Sequence, residues 1–226
     1  MYDKNKLGVE TIFRGIKGAI FDLDGTLVDS MGVWTNVDIQ YLQKRGFEVP
    51  ADLADEIQAL TFEDCARYFK KRFGLSETID EIMDEWNKMA YDEYAHNVKL
   101  KPGVREYLAY LKKKNIKIGL ATSNIPELLY ATLKNNDILH YFDSISTVSE
   151  VSRNKNFPDI FLLAAKKMNL EPSQCVVFED ILPAILSAKS VGMKTVGVYD
   201  KHSEHDMEII KKHADIFINS FESLME

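Results

Sequence analysis

Short segments dense in apolar residues recur along the chain, at Ala19–Phe21, Ile116–Ala121, Ile145–Val148, Cys175–Phe178, Thr195–Val198 and Ile216–Ile218. A strand with one face in water must alternate apolar and polar residues. Strand-length segments without that alternation therefore mark a sheet covered on both faces. The cover is legible in between. Val104, Tyr107, Leu108 and Leu111 keep the spacing of one helix face, as do Phe161, Ala164, Ala165 and Met168. Lys112, Lys113 and Lys114 fall in the last turn of the first of these, where cations suit the helix dipole. Strand alternating with helix predicts right-handed βαβ units, hence an α/β fold with a Rossmann-like parallel sheet.

Residues from about 34 to 100 break the rhythm. They hold no strand signal, and their stripes are helical: Phe62, Cys65, Ala66, Phe69, then Ile79, Ile82, Met83, Trp86, Ala90. Thr61 with Asp64 predicts a helix start and Gly74 a stop, and Pro102-Gly103 marks the return. The expected organisation is an α/β core of residues 1–30 and 101–226 with a helical domain, 31–100, inserted into it.

Composition narrows the function. With 226 residues and 46% hydrophobic content the chain can bury a large core plus an appendage. A net charge of -7 argues against nucleic acid as partner, because phosphate backbones select basic surfaces. No apolar run approaches a membrane span, the N-terminus is too polar for a signal peptide, and Cys65 and Cys175 sit in dissimilar contexts. The expectation is a cytoplasmic protein with no membrane association and no disulfide framework, a monomer or weak homodimer.

In a parallel sheet the carboxyl ends of all strands share one edge, where ligands bind. Asp22 and Asp24 follow the first strand, Thr122, Ser123 and Asn124 the second, Lys155 lies in the loop after the third, and Glu179-Asp180 ends the fourth. Each has a plainer reading alone. Asp24-Gly25 can be a turn, Thr122–Asn124 can cap the helix that Pro126 starts, Lys155 can be a solvated loop lysine, and Glu179-Asp180 can cap a helix near Pro183. Asp-x-Asp-Gly matches the start of a calcium loop, but the later acids are missing. Convergence of acids, a hydroxyl and a lysine on one edge favours a site over these separate readings.

The segments "DLDGT", "ATSN", "KNFPDIF" and "FEDILPAILSAKSVGM" resemble the four ordered motifs of the haloacid dehalogenase-like superfamily, over about residues 17 to 220, with the insertion where that family places a helical cap. The branch most similar is that of β-phosphoglucomutase and phosphoglycolate phosphatase. The resemblance implies a Mg²⁺-dependent phosphatase acting on a small phosphorylated metabolite through an aspartyl-phosphate. Asp22 would be nucleophile and metal ligand, Asp24 acid–base and, by its backbone carbonyl, metal ligand. Asp180, with Glu179 directly or through water, would complete the metal site. Lys155 and Thr122, with Ser123 and Asn124, would hold the phosphoryl group. Haloacid dehalogenases themselves generally lack the second aspartate, since a halide leaves without a proton.

The chain departs from the pattern at Asn156, where Lys-Pro is usual, at Ile181 and at Ala184. Trp34 stands where sugar phosphomutases of this branch tend to carry a histidine, which favours hydrolysis over the alternative, a phosphomutase. Substrate selection is expected from Met31, Trp34 and Asn36, with Lys70, Lys71 or Arg72 as possible anion contacts and Asp29 and Ser30 capping the first inserted helix. A phosphoryl-accepting receiver-type signalling domain also gathers aspartates, a threonine and a lysine at a sheet edge, but is about half this size and lacks the insertion.

Overall fold

A computed structural model describes residues 13–57 and 60–225. The strands are β1 Gly18–Phe21, β2 Val28–Asp29, β3 Lys99–Leu100, β4 Lys117–Thr122, β5 Ser144–Thr147, β6 Cys175–Glu179, β7 Lys194–Val198 and β8 Ile216–Ile218. The helices are α1 Val33–Lys44, α2 Leu53–Ile57, α3 Phe62–Phe73, α4 Ile79–His96, α5 Val104–Lys113, α6 Pro126–Asn135, α7 Asp159–Lys167, α8 Leu182–Ser190 and α9 Met207–His213. Six strands form one sheet in the order β5-β4-β1-β6-β7-β8, and every pairing in it is parallel. The expected α/β architecture is present, each apolar segment being a strand to within a residue or two.

Successive side chains of a strand point to opposite faces, so β1 and β6 feed two cores. Ile20 and Val177 pack with Ile160, Phe161, Ala164, Ala165, Ala184 and Ala188, residues of α7 and α8. On the other face Phe21 stacks on Phe178 with ring centroids 4.4 Å apart, and Tyr107 from α5 meets Phe178 edge-on at 5.6 Å. Both faces are dry, which is why the strands need not alternate.

The chain divides into two compact units. One takes the described residues up to Met31 and from Lys99 onward, the other Gly32–Val98. The second unit is helical. Thr61 accepts a hydrogen bond from the Asp64 backbone N–H at the start of α3, and Gly74 ends it at φ 63°, a left-handed value that costs glycine least. Thr78 and Glu81 form a capping box at the start of α4. Ile82, Trp86, Met89 and Ala90 are buried along α4, with Met83 only half-buried. Trp86, Phe69 and Tyr41 make edge-on contacts in this core.

The insertion is flanked by a pairing that was not expected. β2 and β3 run antiparallel, Val28 opposite Leu100 and Asp29 opposite Lys99. Asp29 and Ser30 do not cap α1, whose N-cap residue is Gly32 without a side-chain bond. A strand holds Asp29, and the Ser30 hydroxyl is taken by another acceptor, described below. Lys70 is no free anion contact either: its ammonium donates to the carbonyls of Leu75, Ser76 and Glu77, closing the C-terminal end of α3, while Arg72 pairs with Asp52 at 2.7 Å.

Asp38, half-buried on α1, has no hydrogen bond or ion pair among the described residues, and burial pushes its pKa from 3.8 up to about 7. A carboxyl whose folded-state pKa is raised contributes stability below its unfolded pKa and loses it as pH rises through the folded value. Asp38→Asn is thus expected to leave the melting temperature unchanged near pH 4 and to raise stability by roughly 2 kcal/mol near pH 8, partial exposure included. Thermal melts across that range check it; a pH-independent difference between the two proteins would contradict it.

Candidate active site

β1 lies between β4 and β6, with Phe21 in register with Leu120 and Phe178. The residues that follow therefore emerge level on the carboxyl edge: Asp22, Thr122 and Glu179-Asp180. The Asp22 backbone N–H still donates to the Phe178 carbonyl at 3.0 Å. The chain then turns tightly, with Leu27 and Val28 N–H groups both donating to the Leu23 carbonyl. Gly25 occupies that turn at φ +78°, and a Cβ there would lie 2.5 Å from Oδ2 of Asp180. Glycine is required twice over, for its backbone angle and for the approach of a carboxylate to the main chain.

Asp22, Glu179 and Asp180 each place a carboxylate oxygen within 4.8 Å of the others. All three are buried, at 7%, 0% and 2% exposure, as is Lys155 at 5%. The Lys155 ammonium donates to Asp22 Oδ1 and, at 2.7 Å, to Glu179 Oε1. Desolvation works against its charge, but Asp22 and Glu179 outweigh that and hold its pKa above the ordinary lysine value. Burial pushes the carboxyls up: Asp22 above its usual range, Glu179 to about 8 and Asp180 to about 7. Three carboxylates thus share one ammonium in a low-dielectric pocket. That excess of negative charge, presented by oxygen atoms alone, fits a hard divalent cation.

The neighbours hold these groups in place. Asp180 accepts from the Thr26 hydroxyl at 3.0 Å and from the Ser203 hydroxyl at 3.3 Å. Glu179 Oε2 accepts from the Asp180 N–H at 3.1 Å. Ser187 of α8 donates to the Lys155 carbonyl at 2.8 Å, so the loop that carries the lysine is tied to a helix.

Asp24 stands apart from the three-acid cluster. Its Oδ1 accepts from the Ser30 hydroxyl at 2.6 Å and its Oδ2 from the Asn124 amide at 2.9 Å. Thr122 is fully buried and its hydroxyl accepts from the Asn124 N–H at 3.0 Å, whereas Ser123 is exposed. The cap of α6 is Ile125, without a side-chain bond, so neither Thr122 nor Asn124 caps the helix; the Asn124 amide bonds Asp24 instead. Asp22, Asp24, Thr122, Asn124, Lys155, Glu179 and Asp180 are brought to one edge. Met31 closes the first described stretch of the α/β unit. Trp34 and Asn36 are exposed on α1 of the helical unit, the indole edge-on to Phe62 at 5.4 Å. Sequence reasoning missed Ser30, Thr26, Ser187 and Ser203. Lone serines and threonines give no periodic signal: Thr26 and Ser187 lie inside the motif segments with no role legible for them, and Ser30 reads in sequence only as a helix cap.

A family model described as haloacid dehalogenase-like hydrolase matches residues 19–198. The chain belongs to that family. Within it, the chain falls in the branch of β-phosphoglucomutase-like and phosphoglycolate phosphatase-like proteins and is an enzyme of the phosphatase and phosphomutase kind. It is 30% identical over 181 residues to the phosphorylated carbohydrates phosphatase of Thermotoga maritima, covering 80% of this chain and 84% of that one. It is 24% identical over 213 residues to hexitol phosphatase B of Escherichia coli, covering 93% and 95%. A Thermotoga maritima crystal structure, provisionally named as a β-phosphoglucomutase, superposes with a TM-score of 0.82 at 25% identity, covering 93% of this chain and 97% of that one. No helix among the described residues is long and apolar enough to cross a membrane.

Proposed function

We propose that the chain hydrolyses a small phosphomonoester in two steps, with Asp22 as the group that takes the phosphoryl and Asp24 as the group that moves the proton. The observation that carries this is the pairing of Asp22 with the buried Lys155 beside Glu179 and Asp180. A carboxylate is a poor nucleophile toward a phosphate dianion because like charges repel, so the electrophile's charge must be offset. Lys155, already charged, would donate to the phosphoryl oxygens as they arrive, and the Thr122 hydroxyl with Ser123 and Asn124, which follow β4, would complete that grip. Asp22, Glu179, Asp180 and the Asp24 carbonyl would hold Mg²⁺. When bound, the ion supplies electrostatic stabilisation of charge on the transferring group.

Asp22 Oδ2, the oxygen opposite the lysine contact, attacks phosphorus and the ester bond to the leaving oxygen breaks. Asp24, oriented by Ser30 and Asn124, gives that oxygen a proton. The same carboxylate then takes a proton from water as it hydrolyses the acyl-phosphate, which restores Asp22 and releases phosphate. The relatives' names suggest the substrate class, a phosphorylated carbohydrate or polyol. Trp34 and Asn36 of the helical unit, with Met31 at the junction, are proposed to select it. The likeness to the β-phosphoglucomutase structure favours a second reading, transfer of the phosphoryl group back to a sugar.

A panel of sugar, polyol and nucleoside monophosphates, assayed with Mg²⁺ and after chelation, tests the choice. Hydrolysis is expected to require Mg²⁺ and to be fastest on sugar or polyol phosphates. Turnover that needs a sugar bisphosphate and releases little phosphate would replace it with the mutase reading.

A further inference from the structure

Lys101 and Asp200 lie 99 residues apart and form an ion pair at 2.8 Å that is largely shielded from water, with side-chain exposures of 12% and 3%. Neither belongs to the acid cluster. Lys101 directly follows β3, where its backbone N–H donates to the Leu27 carbonyl at 2.9 Å. Its ammonium spends two further bonds on the main chain, one to the Gly25 carbonyl and one to the Tyr199 carbonyl at 2.7 Å. Withdrawing a lysine from water is costly unless every donor is satisfied, and Asp200 with the two carbonyls takes all three.

Those acceptors share a location. Gly25 follows Asp24 in the chain, and its main chain lies against the Asp180 carboxylate. Tyr199 and Asp200 open the loop after β7. There Asp200 Oδ1 accepts from the His202 N–H at 2.8 Å, closing the turn that brings the Ser203 hydroxyl to Asp180 Oδ2. The ammonium thus fastens both main-chain segments that flank one carboxylate of the site. We propose that Lys101 is a positioning residue of the active site: clamped by Asp200, it fixes the Gly25 peptide and the Ser203 loop, and through them the orientation of Asp180. It does not touch substrate. The proposal rests on the reading of Asp22, Glu179 and Asp180 as metal ligands, and groups that orient such ligands are worth about 10- to 100-fold in metal affinity or activity.

The test is calorimetric titration of the full chain with Mg²⁺ alone, alongside steady-state kinetics, for wild type, Lys101→Arg, Lys101→Met and the double variant Lys101→Met/Asp200→Asn. Lys101→Met orphans a buried carboxylate and is expected to lose stability. The double variant removes that charge and regains the melting temperature. Positioning predicts that both Met-containing variants bind Mg²⁺ at least about tenfold more weakly and lose kcat with KM little changed. Lys101→Arg, which can still reach carbonyl and carboxylate, retains most of both. A restored melting temperature accompanied by restored Mg²⁺ affinity and kcat in the double variant would overturn the proposal and leave the pair a structural clip. Wild type that takes up no Mg²⁺ would overturn the metal-site reading itself, and the positioning role with it.

Discussion

Asp22→Asn is expected to abolish hydrolysis, with kcat down on the order of 10⁴-fold or more, as for the loss of any group that forms the covalent bond. The amide keeps the size of the side chain and can still accept from Lys155, but it has no free carboxylate to attack phosphorus. It also removes one negative charge from a pocket that holds Glu179 and Asp180 within 4.8 Å. Metal-free Asp22→Asn should therefore melt close to wild type, and the loss of activity should not trace to unfolding. Steady-state assay on p-nitrophenyl phosphate together with thermal melts separates the two. Retained turnover in a folded variant would remove Asp22 from its role.

Lys155→Met is expected to act on stability as well as rate. Its ammonium is the one cation bonded to both Asp22 and Glu179 among the described residues. Removing it leaves two buried carboxylates without that partner, a change that costs about 3–5 kcal/mol. The sign with pH follows from the raised values of Glu179, about 8, and Asp180, about 7. Lys155 pulls both values down, so without it they rise further: protonated at low pH these groups cost the folded state little, and the variant's deficit opens as pH rises through the wild-type values, where the wild-type groups ionise beside their cation and the variant's do not. The variant should approach wild type near pH 5, fall away toward pH 8, and recover in part when Mg²⁺ is added. Activity should drop about 10²- to 10³-fold, the usual effect of losing one donor to a developing anion. Equal melting curves for the two proteins at high pH would show that Lys155 does not balance the acid cluster.

The sheet was legible because a doubly covered strand leaves a mark that needs no tertiary knowledge. Ala19–Phe21 and Cys175–Phe178 carry apolar side chains to both faces, and they form neighbouring strands, Phe21 stacked on Phe178. The edge that gathers Asp22, Lys155, Glu179 and Asp180 followed from the parallel order alone. Lys155 was the hardest of these to read. In sequence it is a lysine in a polar loop, and only Ser187 and the carboxylates around it explain its burial. β2 and β3 escaped because two-residue strands carry no periodicity. Ser30 was expected to cap α1, yet a hydroxyl takes whichever acceptor the fold brings nearest, and the turn after β1 brings Asp24. Lys101 and Asp200 were invisible for a related reason: a pair so far apart in sequence acquires meaning only when the loops meet.

The most direct measurement is where the phosphoryl group resides during turnover. Asp24→Asn cannot take the proton from water, so the second step should stall while the first proceeds with a good leaving group. Rapid acid quench of that variant with p-nitrophenyl phosphate and Mg²⁺, followed by peptide mass analysis, should find one phosphoryl group on the peptide holding Asp22, lost on treatment with hydroxylamine. Phosphate found on any other residue, or a variant that turns over at the wild-type rate with no phosphorylated peptide, would contradict the account.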